Sequence, residues 1–290
     1  MPSIIVPAFN EEGAIAEVIE GIRSALEKSD YSDFEVVVVD DGSVDQTGEF
    51  AKEAGSRVVR NVQNMGYGFS LKQGIKAAKH DTIVIVDSDG TYPVEMIPVL
   101  LKKYDEGYDL VVGQRTGPHY RESLIKFPLR YVLKWLVEFT VGRKVPDVNS
   151  GLRVFSKKFV MTLFSRLSNK FSFTTSQTLA YMLHMKYVHY IPITYAARIG
   201  KSKIRLFYDS LGALQMIVLA ILYFNPLKLY LLLCLLAALI GVVAISVGLY
   251  WNVLASVLLG VLAFLLTIVI ASLGLLAGSI SQQNPEHTGK

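Results

Sequence analysis

Asp87 and Asp89 flank Ser88 at the end of the apolar run Thr82-Ile83-Val84-Ile85-Val86, with Gly90 following. The run reads as a buried strand, and two carboxylates one residue apart leave its C-terminal end. Side chains at i and i+2 of an extended segment point the same way. Two hard oxygen donors on one side suit Mg²⁺ or Mn²⁺ and, through the cation, a diphosphate. An acidic loop without a ligand has the same composition, so the meaning of the pair depends on what else reaches the same edge.

Residues 3 to 113 alternate between strand and helix patterns. Ser3–Val6 reads as a strand, and Glu12–Leu26 carries Ile15, Val18, Ile19, Ile22 and Leu26 at helical spacing. Phe34–Val39 is a second buried strand running into Asp40-Asp41-Gly42-Ser43. Asp45 can cap a helix reaching Ala54. Arg57–Val59 is a short strand, Phe69–Ala78 a helix, Thr82–Val86 a strand, Val94–Tyr104 a helix and Leu110–Val112 a strand. This order predicts an α/β fold, a mostly parallel sheet with helices on both faces. Every strand ends in polar residues, so Pro7–Glu12, Asp40–Ser43, Asp87–Asp89 and Gln114-Arg115 gather along one edge. In an open α/β sheet that edge is where ligands bind.

The rest of the chain points to a membrane. Half of the residues are hydrophobic (51%) and only 19% are charged. From Leu229 to Pro285 there is no Asp, Glu, Lys or Arg. This tract divides at Tyr250-Trp251-Asn252 into 229–249 and 253–278, each long enough to cross a hydrocarbon core roughly 30 Å thick. So short a turn makes an antiparallel hairpin, with an aromatic belt at Tyr250 and Trp251. The other reading is a helical pair buried in a soluble core. Residues 281–290 form a polar tail. No signal-peptide pattern opens the chain, and Lys228 precedes the hairpin, so the expectation is a multi-pass membrane protein with its polar domain in the cytoplasm. The single cysteine, Cys234, leaves no disulfide within one chain. The net charge of +4 suits an anionic membrane surface and gives no reason to expect nucleic acid.

Two further segments mix basic and apolar faces. Between about 120 and 141, Lys126, Arg130 and Lys134 recur four apart, on one helical face. They alternate with Phe127, Leu129, Leu133, Trp135, Leu136 and Phe139. This predicts an amphipathic helix, lying in a membrane interface or packed on the sheet. Residues 204–225 read as a second interfacial helix, or a third span, ended by Asn225-Pro226. The polar domain then covers 1–203 and the hairpin 226–280.

Four edge motifs taken together carry a resemblance. They are Val6-Pro7-Ala8-Phe9-Asn10-Glu11-Glu12, Val39-Asp40-Asp41-Gly42-Ser43, Asp87-Ser88-Asp89-Gly90 and Asp147-Val148-Asn149-Ser150-Gly151-Leu152-Arg153. As a set they resemble the inverting family 2 glycosyltransferases of GT-A fold, and within these the dolichyl- and polyprenyl-phosphate mannose or glucose synthases. The resemblance covers residues 3 to about 205. It implies a nucleotide-sugar donor held by Pro7, Asn10, Glu11, Asp40, Asp41, Asp87, Ser88 and Asp89. It also implies Mg²⁺ or Mn²⁺ on Asp87 and Asp89, and a basic loop with Arg198 and Lys201 closing over the diphosphate. Where relatives of this type often carry Gln two residues after the second Asp, this chain has Thr91. Asn64-x-Gly66-x-Gly68 lacks the third glycine of a dinucleotide fingerprint, since Leu71 stands at that position. The Gln-x-x-Arg-Trp motif of processive polysaccharide synthases is missing.

The acceptor decides the mechanism. A hydroxyl needs a general base, whereas a phosphate monoester is already ionised and needs cations, for which guanidinium is suited. The expected reaction is inverting transfer of one sugar from GDP-mannose or a UDP-hexose to dolichyl or polyprenyl phosphate at the cytoplasmic membrane face. Arg115, Arg130 and Lys134 are the expected lipid-phosphate ligands, and Asp89, Arg115, Arg130 and Asp147 the expected catalytic set. Arg121, Arg143 and Lys144 read as solvated surface charges. The rival activity is transfer to a hydroxyl of a lipid-linked glycan, with Asp147 as the base. A non-catalytic assembly partner built on an inactive GT-A domain is the third reading.

Overall fold

Val36–Val39 and Ile4–Val6 are apolar and β-branched throughout, the pattern of strands covered on both faces. In the computed structural model they lie side by side inside a seven-stranded sheet. The structure describes residues 1–117, 127–197, 214–215, 217–219, 221–222 and 226–282. The chain forms two units, Met1–Met216 and Ile217–Lys290.

The first unit holds the strands β1 (Pro2–Ala8), β2 (Glu35–Asp40), β3 (Arg57–Arg60), β4 (Thr82–Ile85), β5 (Leu110–Thr116), β6 (Arg153–Ser156) and β7 (Val188–Thr194). Their order across the sheet is β3-β2-β1-β4-β6-β5-β7. The helices are α1 (Ile15–Glu27), α2 (Thr47–Glu53), α3 (Tyr67–Ala77), α4 (Ile97–Asp105, entered by a 3₁₀ turn), α5 (Phe127–Val141), α6 (Lys157–Thr162) and α7 (Phe173–Leu183). The five strands and four helices expected between 3 and 113 are present, with ends shifted by a few residues. Alternate strand residues divide the core. Ile4, Val6, Val38, Val84 and Val111 pack under α1 and α4 on one face. Ile5, Val37, Val39, Ile85 and Val112 pack under α3, α6 and α7 on the other.

Two strands and two helices were not expected. β6 runs antiparallel between β4 and β5, with Arg153 in register with both Ile85 and Val112. Because it runs backwards, its first residue stands at the edge where β4 ends. The segment before it, 147–152, is thereby delivered to the polar edge. β7 then extends the sheet beside β5 in parallel. Helix α7 is buried almost from end to end, including Thr174, Thr175, Ser176, Gln177 and Thr178. Its polar face therefore lies inside the protein, where an amphipathic pattern gives no signal.

α3 begins against the turn that precedes α7. Phe69 N–H donates to the carbonyl of Asn169 at 2.9 Å, and Lys72 Nζ holds the carbonyls of Phe164 (2.7 Å) and Leu167 (2.6 Å). A β-carbon at Gly68 would meet the carbonyl oxygen of Lys170 at 2.6 Å. These neighbours are main chain and cannot swing away.

In the second unit, α8 (Pro226–Tyr250) and α9 (Leu254–Gln282) are both long and apolar enough to cross a membrane, each with mean hydropathy 2.8. Their turn is made by Trp251, Asn252 and Val253, with Asn252 in the left-handed region. Gly241 of α8 and Gly260 of α9 let the backbones meet: a β-carbon at Gly241 would lie 3.1 Å from the Gly260 carbonyl oxygen. Leu235 and Leu275, by contrast, are 69% and 67% exposed. An open leucine surface of this extent is what a bilayer would cover, and it is foreign to a soluble core. Most of the expected second interfacial helix, 204–225, lies outside the described residues.

Gly68→Ala should lower stability by about 2 kcal/mol through overpacking against the 168–170 backbone. The measurement is a thermal or denaturant unfolding curve in detergent, and an unchanged midpoint would contradict the packing described.

Candidate active site

The first two strands end side by side, Ala8 in register with Asp40, and their loops are tied together. Asn10 N–H donates to Ser43 Oγ at 3.0 Å, and Asn10 Oδ1 accepts from Val44 N–H at 2.9 Å. Glu11 N–H donates to Thr47 Oγ1 at 2.8 Å. Asn10 has φ +50°, a conformation asparagine tolerates. The Pro7 carbonyl accepts from Ser88 Oγ at 2.9 Å, which joins this corner to the Asp87–Asp89 loop.

The two adjacent aspartates have different tasks. Asp41 accepts from Asn61 Nδ2 (2.7 Å), Met65 N–H (2.9 Å) and Gly66 N–H (2.8 Å). It therefore pins the entry to α3. Asp40 is fully buried; its Oδ1 accepts from Ser43 N–H at 2.9 Å, and its Oδ2 lies 3.4 Å from Arg60 Nε. That Oδ2 makes no hydrogen bond. Of the two, Asp40 makes fewer hydrogen bonds, and Gly48 packs against its Oδ2.

Asp87 and Asp89 are each oriented through Oδ1 by a hydroxyl. Tyr67 OH donates to Asp87 at 2.8 Å, and Thr91 Oγ1 donates to Asp89 at 2.6 Å, reinforced by Thr91 N–H at 3.2 Å. Thr91 thus acts as an orienting partner of Asp89. Burial and the neighbouring Asp87 raise the Tyr67 phenol well above its ordinary value, so it remains a donor. The far side of Asp87 is closed by Gly151, where a β-carbon would meet both carboxylate oxygens at 2.6 Å. Gly151 N–H in turn donates to Tyr92 OH at 2.6 Å.

Arg115 and Asp147 form the next layer. Arg115 Nε and Nη2 donate to Asp147 Oδ2 and Oδ1, both at 2.8 Å, and Arg115 N–H adds a third bond. This is a two-bond fork between a nearly buried carboxylate and a guanidinium that is 17% exposed. Burial pushes the Asp147 carboxyl up, but the Arg115 charge and the hydrogen bonds outweigh it, and the group is held below its ordinary value. The Tyr195 ring lies 5.5 Å from Arg115 Cζ and meets the Tyr92 ring edge-on at 5.2 Å. Tyr92 and Tyr195 therefore connect the Arg115 pair to Gly151 and Asp87. Beneath them Arg153 is completely buried, bonded to the carbonyls of Val148, Ser150 and Thr174 and to Thr178 Oγ1.

The structure thus brings Pro7, Asn10, Glu11, Asp40, Asp41, Asp87, Ser88, Asp89, Arg115 and Asp147 to one edge. The expected role of Arg115 changes in one respect. The Nε–Nη2 edge that would grip a phosphate in two bonds is given to Asp147. Lys134, on α5, is exposed and pairs with Glu138 at 3.8 Å as an i,i+4 surface pair. Arg130 falls within α5, with its side chain outside the described ones; Arg198 and Lys201 also lie outside the described residues. Tyr67, Tyr92, Tyr195 and Gly151 were missed as site residues. Each supports a motif residue from a distant part of the chain, and a one-dimensional pattern does not register that.

The sequence profile described as glycosyl transferase family 2 matches residues 3–165. The chain belongs to glycosyl transferase family 2. Family 2 relatives include an uncharacterised protein of Methanocaldococcus jannaschii, 37% identical over 53% of this chain and 63% of its own length. The low-salt glycan biosynthesis hexosyltransferase Agl6 of Haloferax volcanii is 31% identical over 71% of this chain and 50% of its own. The undecaprenyl-phosphate 4-deoxy-4-formamido-L-arabinose transferase of Edwardsiella ictaluri is 29% identical over 56% and 50%. The chain thus spans about half the length of the two named transferases. Among solved structures, glucosyl-3-phosphoglycerate synthase of Mycobacterium tuberculosis, crystallised with Mn²⁺, UDP-glucose and phosphoglyceric acid, has a TM-score of 0.60 at 23% identity, covering 76% of this chain and 79% of that one. The likeness shows the GT-A fold.

The family 2 site fits a divalent cation by its donor set. Among the described residues no group of three or more His, Cys, Asp or Glu is arranged for a metal. Two carboxylates at a strand edge, completed by substrate phosphates and water, are how Mg²⁺ is usually held.

Asp147→Asn should cost about 3 kcal/mol at neutral pH by leaving the Arg115 charge unmatched. A depressed carboxyl stabilises the fold above its unfolded value, and this is lost as pH falls through the folded value. The gap to wild type should stay constant from about pH 7 to 5 and close below about pH 4. Melting curves of both proteins across that range check it; a gap that widens on acidification would contradict the pair.

Proposed function

We propose that this family 2 protein transfers one hexose, with inversion, from a nucleotide donor to a dolichyl or polyprenyl phosphate at the cytoplasmic face of a membrane. The observation that carries the reading is the Arg115–Asp147 fork beside Asp87. Asp147 is the carboxylate expected to serve as base for a hydroxyl acceptor. Held in a guanidinium fork below its ordinary pKa, it is a poor proton acceptor. A phosphate acceptor has no proton to lose. Its oxygen attacks the anomeric carbon as the bond to the nucleoside diphosphate breaks on the opposite side.

Each residue then has a task. Asp40, Asn10 and Glu11 receive the nucleotide at the ends of β1 and β2. Asp87 and Asp89 hold Mg²⁺ or Mn²⁺, which when bound offsets charge developing on the departing diphosphate. Arg198 and Lys201 close on that diphosphate. Asp147 fixes the direction of Arg115, whose charge is offered to the acceptor phosphate; Arg130 and Lys134 are the further cations proposed for it. Positioning and preformed positive charge supply most of the rate enhancement. The helices α8 and α9 support the membrane setting, and the undecaprenyl-phosphate transferase of Edwardsiella ictaluri supports the acceptor class.

The test supplies the full chain in detergent with polyprenyl phosphate and radiolabelled GDP-mannose, UDP-glucose and UDP-N-acetylhexosamine in turn. A glycolipid cleaved by mild acid is expected from one donor. Asp89→Asn should reduce its formation by at least about 100-fold; unchanged turnover would overturn the metal assignment. An acid-stable glycan product would establish the hydroxyl acceptor instead, and no product from any donor the non-catalytic reading.

A further inference from the structure

At the end of the sheet opposite the acidic motifs, where β5 and β7 begin in register at Leu110 and Val188, α7 turns into β7. Met185 in this turn is 84% exposed and has φ +57°. Lys186 N–H donates to the Tyr181 carbonyl at 2.9 Å, and Met185 N–H to the Met182 carbonyl at 3.1 Å. This is the Schellman pattern of a helix end, whose left-handed position is usually glycine. A methionine there bears a steric cost, and an exposed one recovers little of it by packing. Tyr187, two residues on, is 71% exposed.

Cations stand beside these two side chains. Arg143, just beyond α5, reaches across the turn, with Nη2 3.4 Å from the Met182 carbonyl and 3.5 Å from that of Lys186. Arg143 and Lys144 are both exposed. Lys186 Nζ lies 4.8 Å from the Phe159 ring centroid and 3.2 Å from Asp109 Oδ1. Asp109 is thereby taken up, since its Oδ2 accepts from Tyr187 N–H at 2.8 Å. Between Glu138 and Asp209 the sequence holds one acidic residue, Asp147, and that one is enclosed in the fork with Arg115. The opposite helical layer differs: residues 12–33 carry Glu12, Glu17, Glu20, Glu27, Asp30 and Asp33 against Arg23 and Lys28.

Exposed methionine and tyrosine among cations, with the nearby carboxylates already paired, match an anionic lipid surface. Cations stay with the phosphates, and the apolar groups enter the boundary between headgroups and acyl chains. We infer that the α7–β7 turn, through Met185 and Tyr187 with Arg143 and Lys144, is a contact with anionic lipid headgroups. It holds the transferase domain at the end remote from its acidic motifs. The inference takes the membrane setting of the proposed function as given and does not depend on which sugar or acceptor is used. It gives a task to Arg143 and Lys144, which the sequence marks only as surface charges.

The experiment attaches a nitroxide spin label through Met185→Cys in the full chain, with Cys234→Ala removing the native thiol. The chain is reconstituted in vesicles of phosphatidylcholine and phosphatidylglycerol. Relaxation of the label by oxygen, which concentrates in lipid, is compared with relaxation by an aqueous nickel chelate. The label is expected about 5–10 Å into the headgroup and acyl boundary, and one attached through Glu20→Cys on α1 is expected in water. Arg143→Glu combined with Lys144→Glu should return the label at position 185 to water. Tyr187→Cys supplies the same measurement if the change at Met185 disturbs the fold. A label that stays in water, or an immersion that the two charge reversals leave unmoved, overturns the inference. A label shielded from both relaxants and broadened by a second spin shows another copy on this face and overturns it too. Flotation of the same vesicles separates the two levels. A chain that does not float with them overturns the membrane setting, whereas a floating chain with its label in water overturns this contact alone.

Discussion

The buried guanidinium of Arg153 is the interaction on which the polar edge depends. It is completely enclosed, and it spends its donors on the carbonyls of Val148, Ser150 and Thr174 and the hydroxyl of Thr178. Burying a cation is costly unless its hydrogen bonds are met. The chain meets them by folding the 148–150 backbone around the charge and by turning polar groups of α7 inward. That one requirement sets the path of the whole 147–152 segment. The same path presents Asp147 to Arg115 and places Gly151 against Asp87. The acidic motif on β4 and the arginine on β5 are thus coordinated by a residue on β6, the strand between them.

The parallel part of this architecture was legible because its signals are local. Apolar runs such as Phe34–Val39 and Thr82–Val86, each broken by a polar cluster, specify buried strands and their open ends without reference to anything distant. The hairpin was legible for the same reason, since a long uncharged tract is a property of composition. β6 was not. Four residues beginning with arginine carry no strand signal, and Arg153 is there because its charge is satisfied from α7, more than twenty residues away. α7 itself hides its hydroxyls in the interior, so the usual inference from polar residue to exposed face inverts. The motif residues of the site were readable from their spacing. The tyrosines that hold them were not, because Tyr67, Tyr92 and Tyr195 come from three separate segments and acquire meaning only when the sheet assembles.

The aspartates at the edge show how one residue type is divided among tasks by its donors. Asp41 faces backbone N–H groups and becomes a structural anchor. Asp147 faces a guanidinium and becomes half of a neutralised pair. Asp40 has one backbone bond and a long approach to Arg60. Tyr67 and Thr91 orient Asp87 and Asp89 through hydroxyls, which fix direction and add no charge. Hydroxyl donors thus orient Asp87 and Asp89, whereas a guanidinium charge neutralises Asp147. Sequence spacing alone places all five at the edge and cannot rank them. Their donors do.

This division bears on why the acceptor chemistry and the fork belong together. A transferase that deprotonates a hydroxyl must keep one carboxylate basic, which requires a partner that does not bind the ionised form tightly. Arg115 does the opposite to Asp147: it favours the ionised form and occupies both oxygens. The arrangement sacrifices a base and gains a cation of fixed direction, steadied further by the Tyr195 ring. On the proposed function, that exchange serves an incoming nucleophile that is already an anion and must be brought close to a second anion, the donor diphosphate. Electrostatic preorganisation of this kind is worth most where water is scarce. The proposed lipid phosphate acceptor, delivered from a bilayer, would meet that condition.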